Sequence, residues 1–374
     1  CYTSATTGDP KGVLYAHRST VIHAYACSAA DALGLRERDA VLPIVPMFHV
    51  NAWGFPFVAP MVGAKLVFPG PAMDAKSLIA QINGERVTVS AGVPTVWLGI
   101  RDELTRSGGS LPTLERFIIG GSALPAGLMR SYDAMNIRAT HAWGMTESSP
   151  IGTVSHVKAA LSEASPERIE AARLSQGTFV AGVQWRLAGP DGGTVPSDGK
   201  SAGELLIRGP WVASEYYKND EATQNAFVDG WFRTGDICTV DELGYLRIVD
   251  RVKDLVKSGG EWISSVDLEN TLMGHPAVKE AAVIGVPHEK WIERPVACVV
   301  LREGSSAGEE ELRLWLGERV AKWWVPDRVI IVEAIPRTGV GKFRKRDLRE
   351  RYANLLAGDA RATSPSDPSR AATR

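Results

Sequence analysis

The segment YTSATTGDPKGV, residues 2–13, is the first of the segments on which the interpretation of this chain rests. It combines three threonines, a serine, two glycines, a proline and a lysine. It is not a Walker loop, because Lys11 precedes the second glycine, Gly12, instead of following it. Hydroxyls, backbone N–H groups and one lysine nevertheless suit the binding of phosphate oxygens. Taken alone, the segment is explained equally well as a solvated turn.

Length, charge and cysteine content limit the function classes. The chain has 374 residues and a net charge of −1, which predicts two or more domains and argues against a nucleic-acid binder. Four scattered cysteines without a CxxC pair fit a reducing cytoplasm better than a disulfide framework or zinc site. No apolar run reaches the ~18–20 residues that span a membrane. Because the chain starts at Cys1 inside a loop signature, we expect it to lack an N-terminal portion.

Apolar runs and helical patterns alternate from residue 41 to about 249, which predicts a layered α/β architecture. The predicted strands include 64–68, 87–93, 116–121 and 203–209, and the predicted helices include 74–82 and 95–104. DRVKD, residues 250–254, is interpreted as a linker.

A smaller α+β pattern follows the linker. It comprises strands near 280–286 and 295–301, a helix near 308–322 and a strand at 328–335. The tail is biased towards Ala, Ser, Pro and Arg, and we expect residues 358–374 to be disordered.

Two segments carry a carboxylate in a setting that suits nucleotide chemistry. HAWGMTESSP, residues 141–150, places Thr146 and Glu147 on a turn, where a hydroxyl and a carboxylate could hold Mg²⁺. GWFRTGDI, residues 230–237, places Asp236 after a turn, where it could accept two hydrogen bonds from a ribose diol. Each segment alone is also explained as a polar loop.

Two more segments are rich in glycine and basic residues. The first spans residues 250–270, DRVKDLVKSGGEWISSVDLEN, and has an arginine, two lysines and two adjacent glycines before a helix predicted to start near Ser264 or Ser265. PRTGVGKFRKRDLRE, residues 336–350, presents Lys342 on a loop bordered by glycines. Five such segments in this order and spacing are hard to explain as unrelated polar loops.

The five segments resemble the signature motifs of the adenylate-forming superfamily, which includes acyl-CoA synthetases, aryl-CoA ligases, luciferases and peptide-synthetase adenylation domains. The family patterns are roughly YTSGTTGxPKGV, YGxTE, a TGD segment, DRxKDxxKxxG and PxTxxGK, and this chain has a counterpart of each. The chain looks most similar to 3-methylmercaptopropionate-CoA ligases and to medium- and long-chain fatty acyl-CoA synthetases. The resemblance implies an N-terminally truncated α/β adenylation domain over residues 1–252 and a small, mobile α+β domain over 253–357.

The resemblance also implies a two-step reaction that uses ATP, Mg²⁺ and coenzyme A. A carboxylic acid and ATP give an acyl-adenylate and pyrophosphate, and the coenzyme A thiol then displaces AMP. The two anionic reactants need a bridging cation, and the family's catalytic lysine maps onto Lys342. Close relatives are often homodimers, so a homodimer with small-molecule partners, and with no nucleic-acid or membrane partner, is expected.

Roles carry over from the family residue by residue. Thr146 and Glu147 join Lys342 as catalytic residues, and Thr3 and Glu147 would contact the metal. The ATP and AMP contacts would be Thr3, Ser4, Thr6, Thr7, Lys11, Gly121, Ser122, His141, Ala142, Thr146, Asp236, Arg251, Lys253 and Lys342. The coenzyme A contacts would be Lys257, Gly259, Gly260 and Trp262. Lys253 would also lie at the hinge between the domains.

Two positions depart from the family pattern, since Ala5 replaces a usual glycine and Trp143 a usual tyrosine. PMFHVNAWGFPF, residues 46–57, resembles a fatty-acid-binding segment in which the aromatic at Trp53 gates the acyl tunnel; core packing also explains this tryptophan. Two indoles would shorten the pocket so that it accepts a short acyl chain. Sulfur–aromatic contacts worth roughly 0.3–1.5 kcal/mol would favour a thioether in that chain. The acyl contacts would be His49, Trp53, Gly121, Trp143 and Pro150.

Three function classes remain open at the level of sequence. The first is an AMP-forming acid–CoA ligase for 3-methylmercaptopropionate or a short- or medium-chain fatty acid, with long-chain fatty acids as the close alternative. The second is a carrier-loading adenylation module, which the absence of a following GxxS carrier segment disfavours. The third is a non-catalytic binding protein, and the presence of Lys342, Asp236 and Glu147 counts against it.

Trp143→Ala should widen the range of acids that the protein accepts, because it removes one aromatic wall of the predicted acyl pocket. Relative activity over a series of fatty acids of increasing length measures this effect. An unchanged length preference would contradict the assignment of Trp143 to the pocket.

Overall fold

The computed structural model describes residues 1–3, 10–189, 192–259, 261–337 and 343–356, without the side chains of Glu261 and Trp262. These residues form two compact units. Unit 1 spans residues 1–252, and unit 2 spans 253–336 and 343–356. The predicted α/β fold class is confirmed. The predicted disordered tail, 358–374, lies outside the described residues.

Unit 1 begins with an α/β layer built on a seven-stranded sheet in the order β2-β1-β3-β4-β5-β6-β7. The pairs from β2 to β5 are parallel, whereas β6 and β7 pair antiparallel. Its strands are β1 (Ala40–Pro43), β2 (Lys65–Leu66), β3 (Val89–Gly92), β4 (Arg116–Ile119), β5 (Arg138–Gly144), β6 (Ile151–Val154) and β7 (Thr178–Phe179). Its helices are α1 (His17–Ser28), α2 (Val50–Trp53), α3 (Phe55–Val62), α4 (Ala75–Gly84), α5 (Pro94–Ser107), α6 (Ala126–Asp133) and α7 (Pro166–Leu174), with 3₁₀ turns at Thr146–Ser148 and Ala159–Leu161.

Helix α5 shows how the sequence pattern fixes one side of this sheet. Pro94 occupies its first turn, where its missing N–H costs no hydrogen bond, and the helix buries Trp97 completely. The Trp97 ring stacks on Phe117 of β4 at 3.9 Å between centroids. Tyr132 of α6 donates its hydroxyl hydrogen to the Trp97 carbonyl oxygen at 2.9 Å. Aromatic packing therefore locks α5 and α6 against β4.

A second, five-stranded sheet completes unit 1, and all its pairs are antiparallel. Its elements are β8 (Gln184–Ala188), β9 (Gly203–Arg208), α8 (Asp220–Ala226), β10 (Phe227–Val228), β11 (Trp231–Val240) and β12 (Leu246–Arg251). The interpretation of residues 250–254 as a linker is wrong for the first two of them. Asp250 and Arg251 end β12 because Arg251 pairs across the sheet with Asp236 of β11.

Unit 2 is an α+β fold around a sheet in the order β14-β13-β16-β15, with β17 parallel to β16. Its elements are β13 (Val256–Ser258), β14 (Glu261–Ile263), α9 (Ser265–Met273), β15 (Val278–His288), β16 (Ile292–Leu301), α10 (Glu309–Gly317), β17 (Arg328–Ile331) and α11 (Lys345–Tyr352), with a 3₁₀ turn at Lys322–Trp324. Helix α9 starts as predicted, since the Ser264 side chain caps it by accepting a hydrogen bond from the Asp267 N–H at 3.1 Å. None of the helices in the described parts of the chain combines the length and apolarity needed to cross a membrane.

Two predicted elements of unit 2 are longer than the real ones. The helix predicted at 308–322 ends at Gly317, because the Leu316 carbonyl oxygen accepts hydrogen bonds from both Arg319 and Val320 and the chain turns away. Val320 still packs on the core of unit 2, so its apolar side chain continues the helical pattern past the helix end. The strand predicted at 328–335 ends at Ile331.

A buried histidine links α1 to the segments that lead into the candidate site. His23 is 1% exposed, and its Nε2 accepts a hydrogen bond from the Ile151 N–H at 3.2 Å. Burial lowers the pKa of His23 to about 4. A Cβ atom at Gly54, which has φ +78°, would lie 2.8 Å from the His23 ring, so only glycine fits there. His23 is therefore a neutral acceptor in the core of unit 1.

Acidification should destabilise unit 1 through His23. Below the ordinary histidine pKa of about 6.5, the unfolded chain binds a proton that the folded chain does not bind until about pH 4. The free energy of unfolding should therefore fall by roughly 3 kcal/mol between these pH values from this group alone. Urea unfolding should show that the free energy of unfolding of His23→Gln falls less between about pH 6.5 and pH 4 than that of the parent protein.

His17→Gln is the matched control, since His17 is exposed on the same helix. It should leave the pH dependence of unfolding unchanged. If the free energy of unfolding changed equally with pH in His23→Gln and in the parent protein, the assignment of a depressed pKa to His23 would be contradicted.

Candidate functional site

The carboxyl ends of β4 and β5 form the edge on which several predicted nucleotide-binding residues lie. Ile119 of β4 pairs with His141 of β5, so Gly121 and Ser122, which follow β4, lie beside the end of β5. In open α/β sheets, ligands bind outside the carboxyl ends of the parallel strands. Gly121, Ser122 and His141 lie at these ends of β4 and β5, which is a position suited to a ligand site.

His141 occupies this edge as a buried, neutral side chain. It is 2% exposed, and its Nδ1 donates to the Leu174 carbonyl oxygen at 2.9 Å. Burial lowers the pKa of His141, and hydrogen bonds to backbone groups, that of Leu174 foremost, partly offset the shift. The next residue, Ala142, directs its carbonyl oxygen towards Gly120, where an added Cβ atom would lie 3.2 Å from it. His141 thus gives the site shape and a polar edge but no charge.

Asp236 is the most deeply buried of the predicted site carboxylates, at 1% exposure. It lies within β11, not after a turn as predicted, at a bulge that the positive φ of Gly235 allows. Arg251 Nε lies 3.0 Å from Asp236 Oδ1. Trp143 Nε1 donates to Asp236 Oδ2 at 2.9 Å. The structure therefore brings the predicted ribose-binding pair together and adds a contact with Trp143 that the sequence did not indicate.

Glu147 is the second buried carboxylate, at 5% exposure, and it lies on the 3₁₀ turn Thr146–Ser148. The Tyr216 hydroxyl donates to Glu147 Oε1 at 2.6 Å. Burial, followed by the adjacent negative charge, raises the pKa of Tyr216, so the phenol remains a neutral donor. The Lys11 ammonium lies 4.9 Å from the centre of the same ring. The Tyr216 side chain therefore contacts two predicted site residues. Its hydroxyl binds Glu147, the predicted metal ligand, and its ring face lies near Lys11, the predicted phosphate contact.

The base of the predicted phosphate-binding segment is an antiparallel pair. Thr3 N–H donates to the Lys11 carbonyl oxygen at 2.9 Å, and Lys11 N–H donates to Thr3 Oγ1 at 3.0 Å. The Tyr217 N–H donates to the Gly12 carbonyl oxygen at 2.8 Å, which connects this pair to the segment around Tyr216. The other predicted phosphate contacts, which lie outside the described residues together with Ala5, are Ser4, Thr6 and Thr7.

Sequence reasoning missed two tyrosines that hold the turn of Thr146 and Glu147. The Tyr15 hydroxyl donates to the Thr146 carbonyl oxygen at 2.6 Å, across 131 residues of chain. Tyr216 binds Glu147 across 69 residues. No local spacing connects either tyrosine to the turn, so only the register of the folded segments reveals them.

Two of the predicted acyl contacts, Trp53 and Trp143, belong to one hydrophobic cluster of unit 1 or pack against it. Trp143 is in the cluster, and Trp53 packs against it. The tip of the Trp53 indole lies over Gly120, where an added Cβ atom would be 3.2 Å from Cη2. Pro150 closes the neighbouring turn, since its carbonyl oxygen accepts the Met145 N–H at 3.1 Å. Trp53 and Trp143 therefore belong to the same apolar region of unit 1.

The backbone that carries Trp53 is left-handed over a full turn. All four residues of α2, Val50–Trp53, have φ between 49° and 57°, and His49 directly precedes them. L-residues other than glycine disfavour this region, so tertiary packing and not local preference imposes the turn. The turn determines where the Trp53 indole points.

The predicted coenzyme A contacts belong to unit 2. Lys257 is exposed on β13, and its N–H donates to Glu293 Oε2 at 3.0 Å. Gly259 has φ +62° and donates its N–H to the Trp291 carbonyl oxygen at 2.9 Å. Lys253, the predicted hinge residue, is exposed. Gly260, Lys342 and the side chain of Trp262 lie outside the described parts of the structure.

The two buried carboxylates fit the groups that the motifs imply. An ionised carboxylate offers about four acceptor positions. Among the described residues, Trp143 and Arg251 occupy two of these positions on Asp236, and the other two suit the hydroxyls of a ribose diol. Glu147 uses one on Tyr216, and no described residue donates a hydrogen bond to its Oε2.

Magnesium in nucleotide sites is usually bound by one or two carboxylates together with substrate phosphates. Within the described ranges, no three His, Cys, Asp or Glu side chains cluster into a metal site. Glu147, with Thr3 as its predicted companion, is therefore compatible with a metal that arrives with ATP. ATP, its ribose and Mg²⁺ would thus find matching groups within unit 1.

Comparison with protein families shows to which family the chain belongs. The model of the AMP-binding enzyme family matches residues 1–217, and that of the AMP-binding enzyme C-terminal domain matches residues 267–342. The chain belongs to this family. The superfamily resemblance inferred from the five motifs is confirmed.

Individual relatives narrow the comparison. The chain is 51% identical over 358 residues to a long-chain-fatty-acid–CoA ligase of Thermus thermophilus, covering 96% of this chain and 66% of that protein. It is 46% identical over 359 residues to a 3-methylmercaptopropionyl-CoA ligase of Ruegeria pomeroyi, with the same coverage of 96% and 66%. The ATP-bound crystal structure of MatB from Rhodopseudomonas palustris matches with a TM-score of 0.83 at 28% identity, covering 95% of this chain and 68% of MatB. The chain therefore spans slightly less than two thirds of the length of the two ligases.

Tyr216→Phe should lower the free energy of unfolding of unit 1 by about 1–3 kcal/mol, because it leaves the buried Glu147 carboxylate without its donor. The Tyr216→Phe/Glu147→Gln double variant should cost less than the sum of the single variants. Urea unfolding of all four proteins measures this coupling energy.

Tyr217→Phe is the matched control, because Tyr217 is 47% exposed. It should change the free energy of unfolding by less than about 0.5 kcal/mol. Strictly additive effects of Tyr216→Phe and Glu147→Gln would show that the hydrogen bond does not stabilise the site.

Proposed function

We propose that the protein is an AMP-forming acid–CoA ligase, which joins a carboxylic acid to coenzyme A at the expense of ATP. The observation that carries the proposal is the pair of buried carboxylates, Glu147 and Asp236, each held by donors yet with acceptor positions left over. Such positions suit a metal-bound triphosphate and a ribose. The family relationship and the ligases named among the relatives support the same activity.

In the first half-reaction, a carboxylate oxygen of the acid forms a bond to the α-phosphorus of ATP. The bond from that phosphorus to the bridging oxygen breaks, and pyrophosphate leaves with the electron pair. Because both reactants are anions, catalysis requires positive charge and alignment more than a base. Lys342 would bridge the acid and the α-phosphate, and Lys11, held over the Tyr216 ring, would face the β- and γ-phosphates.

The described residues of unit 1 would hold the nucleotide during this step. Glu147, fixed by Tyr216, would bind Mg²⁺, which neutralises phosphate charge when bound. Thr146, whose carbonyl oxygen is fixed by Tyr15, would place its hydroxyl at the α-phosphate. Asp236 would accept the ribose hydroxyls, and Gly121, Ser122, His141 and Ala142 would line the adenine side.

In the second half-reaction, the sulfur of coenzyme A forms a bond to the acyl carbon, and the bond from that carbon to the phosphate oxygen breaks. AMP leaves as the anion, and the thiol proton passes to water. Lys257, Gly259, Gly260 and Trp262 of unit 2 would contact the thiol arm, and the exposed Lys253 would act as the hinge. Gly259 has a positive φ, and a Cβ atom there would lie 2.9 Å from the Trp291 ring, so the thiol arm would reach this position beside that indole.

The acid that we propose is 3-methylmercaptopropionate or a short- or medium-chain fatty acid, with long-chain fatty acids as the alternative. The Trp53 and Trp143 indoles would form the walls, and His49, Gly121 and Pro150 would complete the pocket. Polarizable thioether sulfur packs favourably on aromatic rings, which supports the first choice. The two ligases compared above are named for different acids, one long-chain and one thioether, so the relatives support both.

Small molecules alone are the proposed partners, and the cytoplasm is the proposed compartment. Three of the four cysteines are buried, and all four are free thiols, as expected of a reducing environment. A homodimer is the proposed assembly, and light scattering on the full-length protein tests it.

The full-length protein should exchange labelled pyrophosphate into ATP only when a suitable acid is present. Lys342→Ala should reduce this exchange by about 100-fold or more, because it removes the charge that bridges acid and phosphate. Lys279→Ala, an exposed lysine on β15 of the same unit, should exchange at the parent rate. With coenzyme A added, mass spectrometry should detect the acyl-CoA of the preferred acid.

The outcomes separate the competing functions. No exchange with any acid of a broad panel would eliminate the ligase proposal. Exchange without acyl-CoA formation, but with acyl transfer to a phosphopantetheine carrier protein, would assign the carrier-loading function instead. Parent-level exchange by Lys342→Ala would leave the ligase in place and remove Lys342 from its catalytic role.

A further inference from the structure

Trp143 has a polar contact that its predicted place in an acyl pocket does not require. Its indole N–H donates to Asp236 Oδ2 at 2.9 Å, between two side chains that are 93 residues apart in the chain. Trp143 is 8% exposed and Asp236 is 1% exposed, so water does not compete for this hydrogen bond. A hydrogen bond to a buried carboxylate is among the stronger ones in proteins.

The other partner of Asp236 is more exposed. Arg251 contacts Oδ1 at 3.0 Å, but its side chain is 38% exposed, compared with 2% for that of Asp236. Solvent therefore reaches the guanidinium, whereas the indole N–H and the carboxylate oxygen that accepts its hydrogen bond are both buried.

The indole is itself held in one orientation. Trp143 pairs with Thr153 across β5 and β6. Its ring lies against the backbone of Gly152, where an added Cβ atom would be only 2.4 Å from Cζ3 and 2.6 Å from Cε3. Any side chain at Gly152 would therefore displace the ring. Because both its backbone and its ring face are fixed, Trp143 presents its N–H in one direction only.

We propose that Trp143 is a positioning residue for the ribose-binding carboxylate, Asp236. This inference rests on the proposed function, in which Asp236 accepts the hydroxyls of the ribose. With one position on each oxygen used by Trp143 and Arg251, the two remaining positions face the diol only in one rotation of the carboxylate. Loss of the indole N–H frees that rotation, and binding of the ribose hydroxyls weakens.

Trp143→Phe separates this role from the role in the acyl pocket, because it keeps an aromatic ring and removes the N–H. The readout is equilibrium binding of nucleotides by calorimetry, which needs neither turnover nor the acid. We expect AMP to bind about tenfold more weakly to Trp143→Phe than to the parent protein. Binding of 2′,3′-dideoxy-AMP, which lacks both hydroxyls, should change by less than about twofold.

Gly152→Ala supplies a second route to the same change, and serves where Trp143→Phe folds poorly. The added methyl group displaces the indole while Trp143 itself stays in the sequence. It should give the same selective loss of AMP affinity. Trp211→Phe is the matched control, since it removes another buried indole donor, the one that bonds to the Ile151 carbonyl oxygen at 2.9 Å. It should leave the ratio of the two affinities unchanged.

A selective loss of AMP affinity supports the inference. Equal losses for AMP and 2′,3′-dideoxy-AMP, or no loss for either, would overturn it while leaving the ligase proposal intact. Parent protein that fails to bind AMP, or that binds both nucleotides equally well, would instead remove the ribose role of Asp236 and this inference with it.

Discussion

Burial of two carboxylates is the constraint on which the site of unit 1 depends. A buried charge is costly unless hydrogen-bond donors and opposite charges surround it. Glu147 and Asp236 are both almost fully buried. Tyr216 and Trp143 donate to them across 69 and 93 residues of chain, and Arg251 reaches Asp236 from the adjacent strand β12. Formation of the site is therefore inseparable from folding of unit 1, because each carboxylate is tolerated only after its partners have arrived.

The negative charges of the two carboxylates are compensated by different kinds of group. Glu147 receives a hydrogen bond from a neutral phenol, and Lys11 lies over the ring of that phenol. Asp236 receives a guanidinium directly, in addition to the indole. The first arrangement leaves net negative charge where a metal is proposed, whereas the second neutralises the charge where only uncharged hydroxyls are proposed. This division follows the charge of the two groups to be bound.

Sequence motifs identified the candidate residues, but most of the contacts between them could not be predicted. Strands β3 and β4 and the start of α9 at Ser265, capped by Ser264, follow from apolar runs and a capping residue, which act locally. The contacts of Trp143 with Asp236 and of Tyr216 with Glu147 could not be predicted, because strand register across 93 and 69 residues decides them. Asp236 was expected after a turn because Gly235 suggests one, yet the glycine produces a bulge within β11.

The left-handed turn of α2 has a consequence for the dynamics of unit 1. Four consecutive L-residues in this region cost roughly 4–8 kcal/mol relative to a right-handed turn, which the surrounding packing must supply. A segment held against its local preference loses that support first when neighbouring contacts loosen. Amide hydrogens of residues 50–54 would then exchange with solvent through small, local openings well before the central strands do. Trp53 would thus lie on a segment whose backbone opens locally more often than the central strands of unit 1 do.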